Sequence, residues 1–238
     1  MPPYDCIFIN GDSYSAPITG SNVYGDFLGE FLNIPVKNYA VPGSSNDRIL
    51  RTSIEFLTQL KTEYKNPLVL VVWSFINRLE VWEHRDNLDV LEQAPDKKYF
   101  PGTKFITLDH LLNSNVATVE QKALINNDPH GHKQLMNFYT SNYLFCHLLE
   151  SLKLDYLLFS AAKNDRFLAT PYPAVEKYLM VQWIKSNKKI YNLDNFYIQI
   201  WAKDNDPDCR LTGHLSENGH KKFAQVLLDI IKEQYGNI

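Results

Sequence analysis

The sequence has few cysteines, no long apolar run and no excess of positive charge. Its 238 residues include three cysteines, and an odd number at wide spacing predicts reduced thiols, not a disulfide framework or a zinc site. They are Cys6, Cys146 and Cys209, of which Cys6 is expected to be a core residue. The longest apolar runs, such as Leu68–Trp73, are far too short to span a bilayer.

The net charge and the first residues bear on the expected partners and location of the protein. The chain carries 24 basic and 27 acidic side chains, a net charge of -3, so we expect no nucleic-acid partner and no attraction to anionic membranes. The first residues lack the basic and apolar regions of a signal peptide, which predicts synthesis in the cytoplasm. Association with a virion, or later release by lysis of a host cell, stays open.

Motifs for a cofactor or a metal are also missing. Gly11-Asp12-Ser13 lacks the lysine and the further glycines of a phosphate-binding P-loop. His130 and His132 have no supporting ligands at fixed spacing, which favours a polar loop over a metal site. The sequence therefore predicts neither a cofactor nor a bound metal.

The composition that remains is that of a globular α/β protein. Apolar residues make up 45% of the chain and aromatic residues 13%, which is enough for a sizeable core and argues against disorder. The length fits one domain over residues 1–238 better than two. Strand signals at 4–9, 36–41, 68–73 and 156–159 alternate with helical periodicity at 23–32, 135–149 and 174–185 and after the expected N-caps Ser45 and Ser216. This alternation predicts a parallel sheet with right-handed crossovers.

The regular pattern weakens between about residues 83 and 132. This stretch contains several prolines and glycines with scattered charge, and loop-rich segments of such length are usually functional or mobile. We interpret it as an insertion, which is either a lid near the site or a surface elaboration with no catalytic part.

The most informative motif is Asn10–Ser15, directly after the apolar stretch Cys6–Ile9. An apolar run followed by Gly-Asp-Ser predicts a buried strand that ends in a turn and presents the hydroxyl of Ser13. A serine at the carboxyl end of a first parallel strand lies where open α/β sheets build their sites. Because the tripeptide is also ordinary turn chemistry, a nucleophile and a plain turn both stay open on this motif alone.

Two later segments supply partners for Ser13. Gly43, at the end of the second strand, allows a sharp turn and leaves an amide free to donate beside Ser13, as an oxyanion hole requires. His214, in the loop before the last helix, can reach a serine on the first strand, as a general base must. The plainer interpretations are a helix-entry turn capped by Ser45 and a structural histidine.

Together the three segments resemble the SGNH or GDSL hydrolase family. Ser13 in Gly-Asp-Ser-Tyr-Ser matches the nucleophile block, Gly43 in Ala-Val-Pro-Gly-Ser-Ser-Asn the glycine block, and His214 before Leu-Ser the catalytic histidine. The blocks follow the family's order, and the resemblance covers the α/β scaffold apart from the insertion. Trp73-Ser74 and Arg78-Leu79-Glu80, after the central strand, look most like members from bacteriophage genomes.

The resemblance implies a flavodoxin-like three-layer α/β/α sandwich and hydrolysis of an ester through an acyl-serine. Ser13 would be the nucleophile and its amide the first oxyanion donor, with the Gly43 amide as the second. His214 would act as the general base and then as the general acid. The implied substrate is a small ester, such as an acetyl group on a carbohydrate.

The segment after the central strand departs from the family pattern. The family's third block is Gly-x-Asn-Asp, whereas the chain reads Trp73–Arg78, so Asn77 is the nearest amide but comes one position late. Asn77 is either a third oxyanion donor through a changed loop or a helix N-cap, and the hydroxyl of Ser74 is the alternative donor. Arg78 and Glu80 are expected to be solvated charges.

A second departure concerns the support of His214. The family has an Asp three residues before the histidine, and here that position is Leu211. Asp208 fills the role if its loop bulges; otherwise the site is a Ser-His dyad, which predicts a slow enzyme. His220, about one turn into the last helix, is the rival base, and His214 is favoured over it.

These departures leave two alternatives to an esterase open. One is a catalytically degenerate binding module that keeps the fold and the cleft but has no turnover. The other is an acyltransferase that passes the acyl group from the same serine to a sugar hydroxyl. The sequence does not indicate an oligomeric state.

Overall fold

A computed structural model describes residues 3–17, 20–76, 78, 132–161, 178–191, 197–209 and 213–236 of the chain. The insertion expected at 83–132 lies outside these residues, except for His132, which begins a helix. Asn77 and Glu80 also lie outside them.

Five parallel strands form the central sheet of the described part of the chain. They are β1 (Cys6–Asn10), β2 (Val36–Asn38), β3 (Pro67–Trp73), β4 (Tyr156–Ser160) and β5 (Ile190–Tyr191). Their order in the sheet is β2-β1-β3-β4-β5, and each neighbouring pair is parallel. Doubly wound sheets such as that of flavodoxin have this order. The predicted parallel α/β sheet is therefore confirmed.

Within the same ranges, helices of eight residues or more connect and cover the strands. They are α1 (Tyr24–Leu32), α2 (Asn46–Glu63), α3 (His132–Ser151), α4 (Leu179–Ser186), α5 (Ile198–Asn205) and α6 (Glu217–Tyr235). Ser45 and Ser216 are the N-caps of α2 and α6, as predicted, because each hydroxyl accepts a backbone hydrogen bond from the first helical turn.

The sheet lies between two helical layers. Buried side chains of α1, α5 and α6 form one apolar cluster with one face of the sheet, and those of α2, α3 and α4 form a second cluster with the other face. All seven residues of β3 are buried, which explains why its sequence is apolar without alternation. The observed architecture is three layers with the sheet in the middle.

The boundaries differ from the sequence pattern in a few places. β2 ends at Asn38, earlier than predicted, and the side chain of Asn38 accepts the backbone N–H of Ala40, which is a local turn contact. The pattern missed β5 and α5, which are too short for periodicity to show. α4 begins at Leu179, and the start predicted at 174 lies outside the described residues.

Two further sequence predictions concern the state of the cysteines and the length of the apolar segments. Cys6, Cys146 and Cys209 are buried with free thiols, and Cys6 belongs to the core, as predicted. Among the helices of the described ranges, none combines the length and the apolar character that a bilayer crossing needs.

Candidate active site

Three loops that carry predicted site residues leave the sheet at its carboxyl edge. β1 lies between β2 and β3, and the helices that follow β1 and β2 pack on opposite faces of the sheet. The chain therefore diverges at this point, where doubly wound sheets bind their ligands. Ser13 follows β1, Gly43 follows β2 and Ser74 follows β3.

The turn after β1 presents the hydroxyl of Ser13. The carbonyl of Asp12 accepts a hydrogen bond of 3.0 Å from the backbone N–H of Ser15, which closes the turn. Gly11 precedes it, and a Cβ at that position would lie 2.7 Å from the Ser15 hydroxyl, so a larger residue does not fit. Ser13 is partly exposed, whereas Asp12 is fully buried.

His214 lies directly against Ser13. Its Nε2 is 2.9 Å from the Oγ of Ser13, which is hydrogen-bond distance. Gly213 precedes it with a φ of 76°, a left-handed conformation that favours glycine. The hydroxyl of Tyr14 donates to the Gly213 carbonyl at 2.9 Å, and the Tyr14 ring centroid is 5.3 Å from that of the imidazole. The structure thus brings together the serine and the histidine that the sequence singled out.

A buried carboxylate anchors the loop that carries His214. Asp206 accepts hydrogen bonds from the backbone N–H and the hydroxyl of Ser216, at 2.6 and 2.9 Å. A Cβ at Gly219 would clash with this carboxylate, so glycine allows α6 to approach it. Sequence reasoning did not find the anchor, because no fixed spacing links Asp206 to the capping serine.

The carboxylate predicted to orient His214 does not contact it. Asp208 is exposed, and within the described part of the chain it makes no hydrogen bond or ion pair with His214. Asp206, two residues earlier, is the carboxylate of this segment that is buried, and it accepts its hydrogen bonds from Ser216. The orienting role of Asp208 stays a prediction with no contact to support it.

The rival histidine packs inside the protein. His220 is 6% exposed, and its ring centroid lies 6.1 Å from that of Tyr24. Burial lowers the pKa of His220 to about 4, so this imidazole is neutral at pH 7. Its Nδ1 is buried with no hydrogen-bond partner among the described residues. Of the two histidines, His214 is the one placed against Ser13.

Gly43 occupies the turn predicted after β2. Its φ of 78° is left-handed, and open space surrounds the position of a Cβ, so backbone conformation alone requires glycine here. The start of this turn contacts the serine loop, since the backbone N–H of Val41 donates to the carbonyl of Gly11 at 3.2 Å and the side-chain amide of Asn38 donates to the carbonyl of Ser15 at 2.7 Å. Within the described residues, neither the Gly43 nor the Ser13 backbone N–H donates a hydrogen bond.

The alternative oxyanion donor, Ser74, is committed to another contact. Its hydroxyl donates to the Asp12 carboxylate at 2.6 Å and accepts from Nη1 of Arg78 at 2.6 Å. Its backbone N–H donates to the side-chain oxygen of Asn46 at 2.7 Å, and the residue is fully buried. Ser74 therefore organises the base of the site and is not a free donor. Asn77, the other candidate, lies outside the described residues.

Arg78 is not the solvated charge that the sequence predicted. Its side chain is 17% exposed, and Nη1 lies 3.0 Å from the Asp12 carboxylate. The guanidinium also lies over the Phe75 ring, 4.6 Å from the centroid. A spacing rule for surface charges fails here because the residue follows a buried strand and turns back toward the turn after β1.

A family of unknown function, DUF6071, matches residues 18–168. The chain belongs to that family. The DUF6071 match includes Gly43, Ser74 and Arg78, begins after Ser13 and ends before His214. No curated protein matches the chain. The family description assigns DUF6071 no activity.

Proposed function

We propose that this DUF6071 protein is a serine ester hydrolase of the SGNH or GDSL type. The observation that carries the proposal is the 2.9 Å distance between the Oγ of Ser13 and Nε2 of His214. A nucleophile and a base within hydrogen-bond distance are the core of serine catalysis. The order of the parallel strands and the position of both residues at the carboxyl edge support the same family.

The geometry supports the first half of the reaction as follows. The Ser13 hydroxyl donates its hydrogen bond to an unprotonated Nε2 of His214, and the imidazole takes that proton as Oγ attacks the ester carbonyl. A bond forms between Oγ and the carbonyl carbon, and the carbonyl oxygen becomes an oxyanion. The backbone amides of Ser13 and Gly43 are the donors for that oxyanion.

Collapse of the tetrahedral intermediate completes acylation. The bond from the carbonyl carbon to the alcohol oxygen breaks, and the imidazolium of His214 returns the proton to the leaving alcohol. Water then attacks the acyl-serine while His214 takes its proton. The bond from the carbonyl carbon to Oγ breaks, and the imidazolium returns the proton to Oγ, which releases the acid and regenerates the serine. A short acyl group, such as acetyl on a carbohydrate, is the substrate class that the family resemblance implies.

A fluorophosphonate probe tests the proposal without a known substrate. The wild-type protein is expected to gain the mass of one phosphonyl group per chain, and Ser13→Ala and His214→Ala are expected to gain none. The matched control is Ser186→Ala, since Ser186 is an exposed serine at the end of α4. Absence of labelling in a folded wild-type protein would contradict the proposal.

A catalytically degenerate binding module is the second candidate. The observation in its favour is the exposed position of Asp208, without contact to His214. This candidate predicts that wild-type protein and Ser13→Ala bind acylated sugars equally and that neither hydrolyses them. Titration calorimetry with an acetylated oligosaccharide, followed by product analysis, separates the two.

A further inference from the structure

A buried charge lies directly beneath the proposed nucleophile. The Asp12 carboxylate is fully buried, although its residue is the neighbour of the partly exposed Ser13. Oδ1 accepts the backbone N–H of Tyr14 at 3.1 Å, and Oδ2 accepts from the hydroxyl of Ser74 at 2.6 Å and from Arg78 at 3.0 Å. Each of these contacts comes from a donor, as an ionised carboxylate requires.

The Asp12 carboxylate depends on Arg78 for its charge. Burial raises the pKa of Asp12, and the hydrogen bond from Ser74 and the charge of Arg78 oppose that rise. A guanidinium stays protonated throughout the range in which proteins fold. Among the described residues, Arg78 is the cationic side chain in contact with Asp12. Its removal would leave an uncompensated buried carboxylate, which is a costly arrangement.

The other titratable groups that face Asp12 come from three elements. His214 approaches from the loop before α6, Tyr24 from α1, and Tyr14 from the same turn as Asp12. Burial raises the pKa of both tyrosines, so they stay neutral. Asp12 and the imidazole of His214 therefore interact electrostatically, whereas Asp208 lies exposed.

We propose that Arg78 is a positioning residue that holds Asp12 ionised beneath the Ser13–His214 pair. The ionised carboxylate fixes the serine turn through the N–H of Tyr14 and stabilises the imidazolium that forms when His214 takes the serine proton. The catalytic part of this inference rests on the proposed esterase function. The electrostatic part, the dependence of the Asp12 charge on Arg78, does not.

The catalytic part is tested by the pH profile of fluorophosphonate labelling. In Arg78→Gln the carboxyl of Asp12 binds a proton at a higher pH than in the wild type, because its cation is gone. Labelling is expected to be about tenfold slower than wild type at the low end of the pH range and to approach the wild-type rate as pH rises and Asp12 ionises. Arg78→Lys keeps the charge and is expected to restore most of the profile. A uniform loss at every pH, or no rescue by lysine, would overturn the positioning role.

The electrostatic part is tested by the stability of the same variants against pH. A carboxyl whose folded pKa is raised destabilises the protein progressively as pH rises above its unfolded value of about 4. The unfolding equilibrium constant of Arg78→Gln, relative to wild type, should therefore increase by about tenfold or more from pH 5 to pH 8. Asp12→Asn/Arg78→Gln, which has no carboxyl to titrate, should show no such increase.

The control for loss of positive charge is Lys188→Gln. Lys188 is exposed in the turn before β5, and its removal is expected to change neither profile. If the wild type is never labelled, the esterase proposal fails while the stability test still decides the role of Arg78. If Arg78→Gln shows a constant stability difference at all pH values, Arg78 does not control the charge of Asp12.

Discussion

The hydroxyl of Tyr14 donates a hydrogen bond of 2.9 Å to the carbonyl of Gly213, 199 positions away in the sequence. This bond joins the turn that carries Ser13 to the loop that carries His214. The ring of the same tyrosine packs against the imidazole. One side chain therefore contacts both the turn after β1 and the loop before α6.

Tyr14→Phe is expected to slow fluorophosphonate labelling severalfold and to cost about 1 kcal/mol of stability, because it removes this hydrogen bond and keeps the ring. Labelling kinetics and chemical unfolding measure the two effects. Tyr4→Phe is the matched control, since the Tyr4 hydroxyl donates a comparable hydrogen bond of 3.0 Å to Asp155. The control should lose similar stability without slower labelling. Equal labelling in both variants would show that the Tyr14 hydroxyl does not hold His214.

Gly43→Ala tests the turn after β2. An alanine meets no clash there but must adopt a φ of 78°, which costs about 1–2 kcal/mol. Relief of that strain would turn the amide away from the oxyanion. The labelling rate is therefore expected to fall in addition to the loss of stability. Gly20→Ala is the control, because Gly20 has a φ of 76° and equally open surroundings. If the two variants label equally fast, the Gly43 amide is not an oxyanion donor.

Most of the strands and helices could be predicted from the sequence, because those that form the core have clear hydrophobic patterns. β3 was readable as a central strand from the uninterrupted apolar run Leu68–Trp73, and Ser45 and Ser216 were readable as N-caps from their residue type and position. β5, with two residues, lacks any such pattern. Such a short strand forms because it pairs with a neighbouring strand, and that pairing is not visible in a single sequence.

The candidate site was only partly readable for a related reason. Ser13 and His214 follow recognisable local motifs, and the structure places them together. The contact of Arg78 with Asp12 spans 66 positions and depends on how the loop after β3 turns back. Motif spacing near Arg78 indicated a solvated charge, because spacing describes exposure along one segment and not a contact between two.

Asp208→Asn separates a triad from a dyad. Because Asp208 is exposed and does not contact His214, the substitution is expected to change the labelling rate by less than about threefold. In triad enzymes, loss of the orienting carboxylate costs about 10⁴ in rate. Stopped-flow or timed mass measurements on the variant and the wild type distinguish these outcomes. A loss approaching that of a triad enzyme would show that the loop rearranges to bring Asp208 to His214.

His220→Phe tests the buried histidine. The pKa of His220 is lowered to about 4 from an ordinary value of 6.5. Between pH 4 and pH 6.5 this histidine is therefore protonated in the unfolded chain and neutral in the folded protein. Folding stability is therefore lost as pH falls from 6.5 toward 4, and the difference corresponds to about 3 kcal/mol. Phenylalanine has no proton to bind and no unpaired buried Nδ1, so this part of the acid sensitivity should disappear.

The measurement is the free energy of unfolding by denaturant at pH 7 and at pH 4.5, for the wild type and the variant. The loss between the two pH values should be smaller in His220→Phe, while labelling of Ser13 at pH 7 continues, because His214 and not His220 contacts the serine. Loss of labelling in a folded His220→Phe protein would instead assign the base to His220. Since its imidazole packs on Tyr24 in the interior, such a result would require a different arrangement of α6.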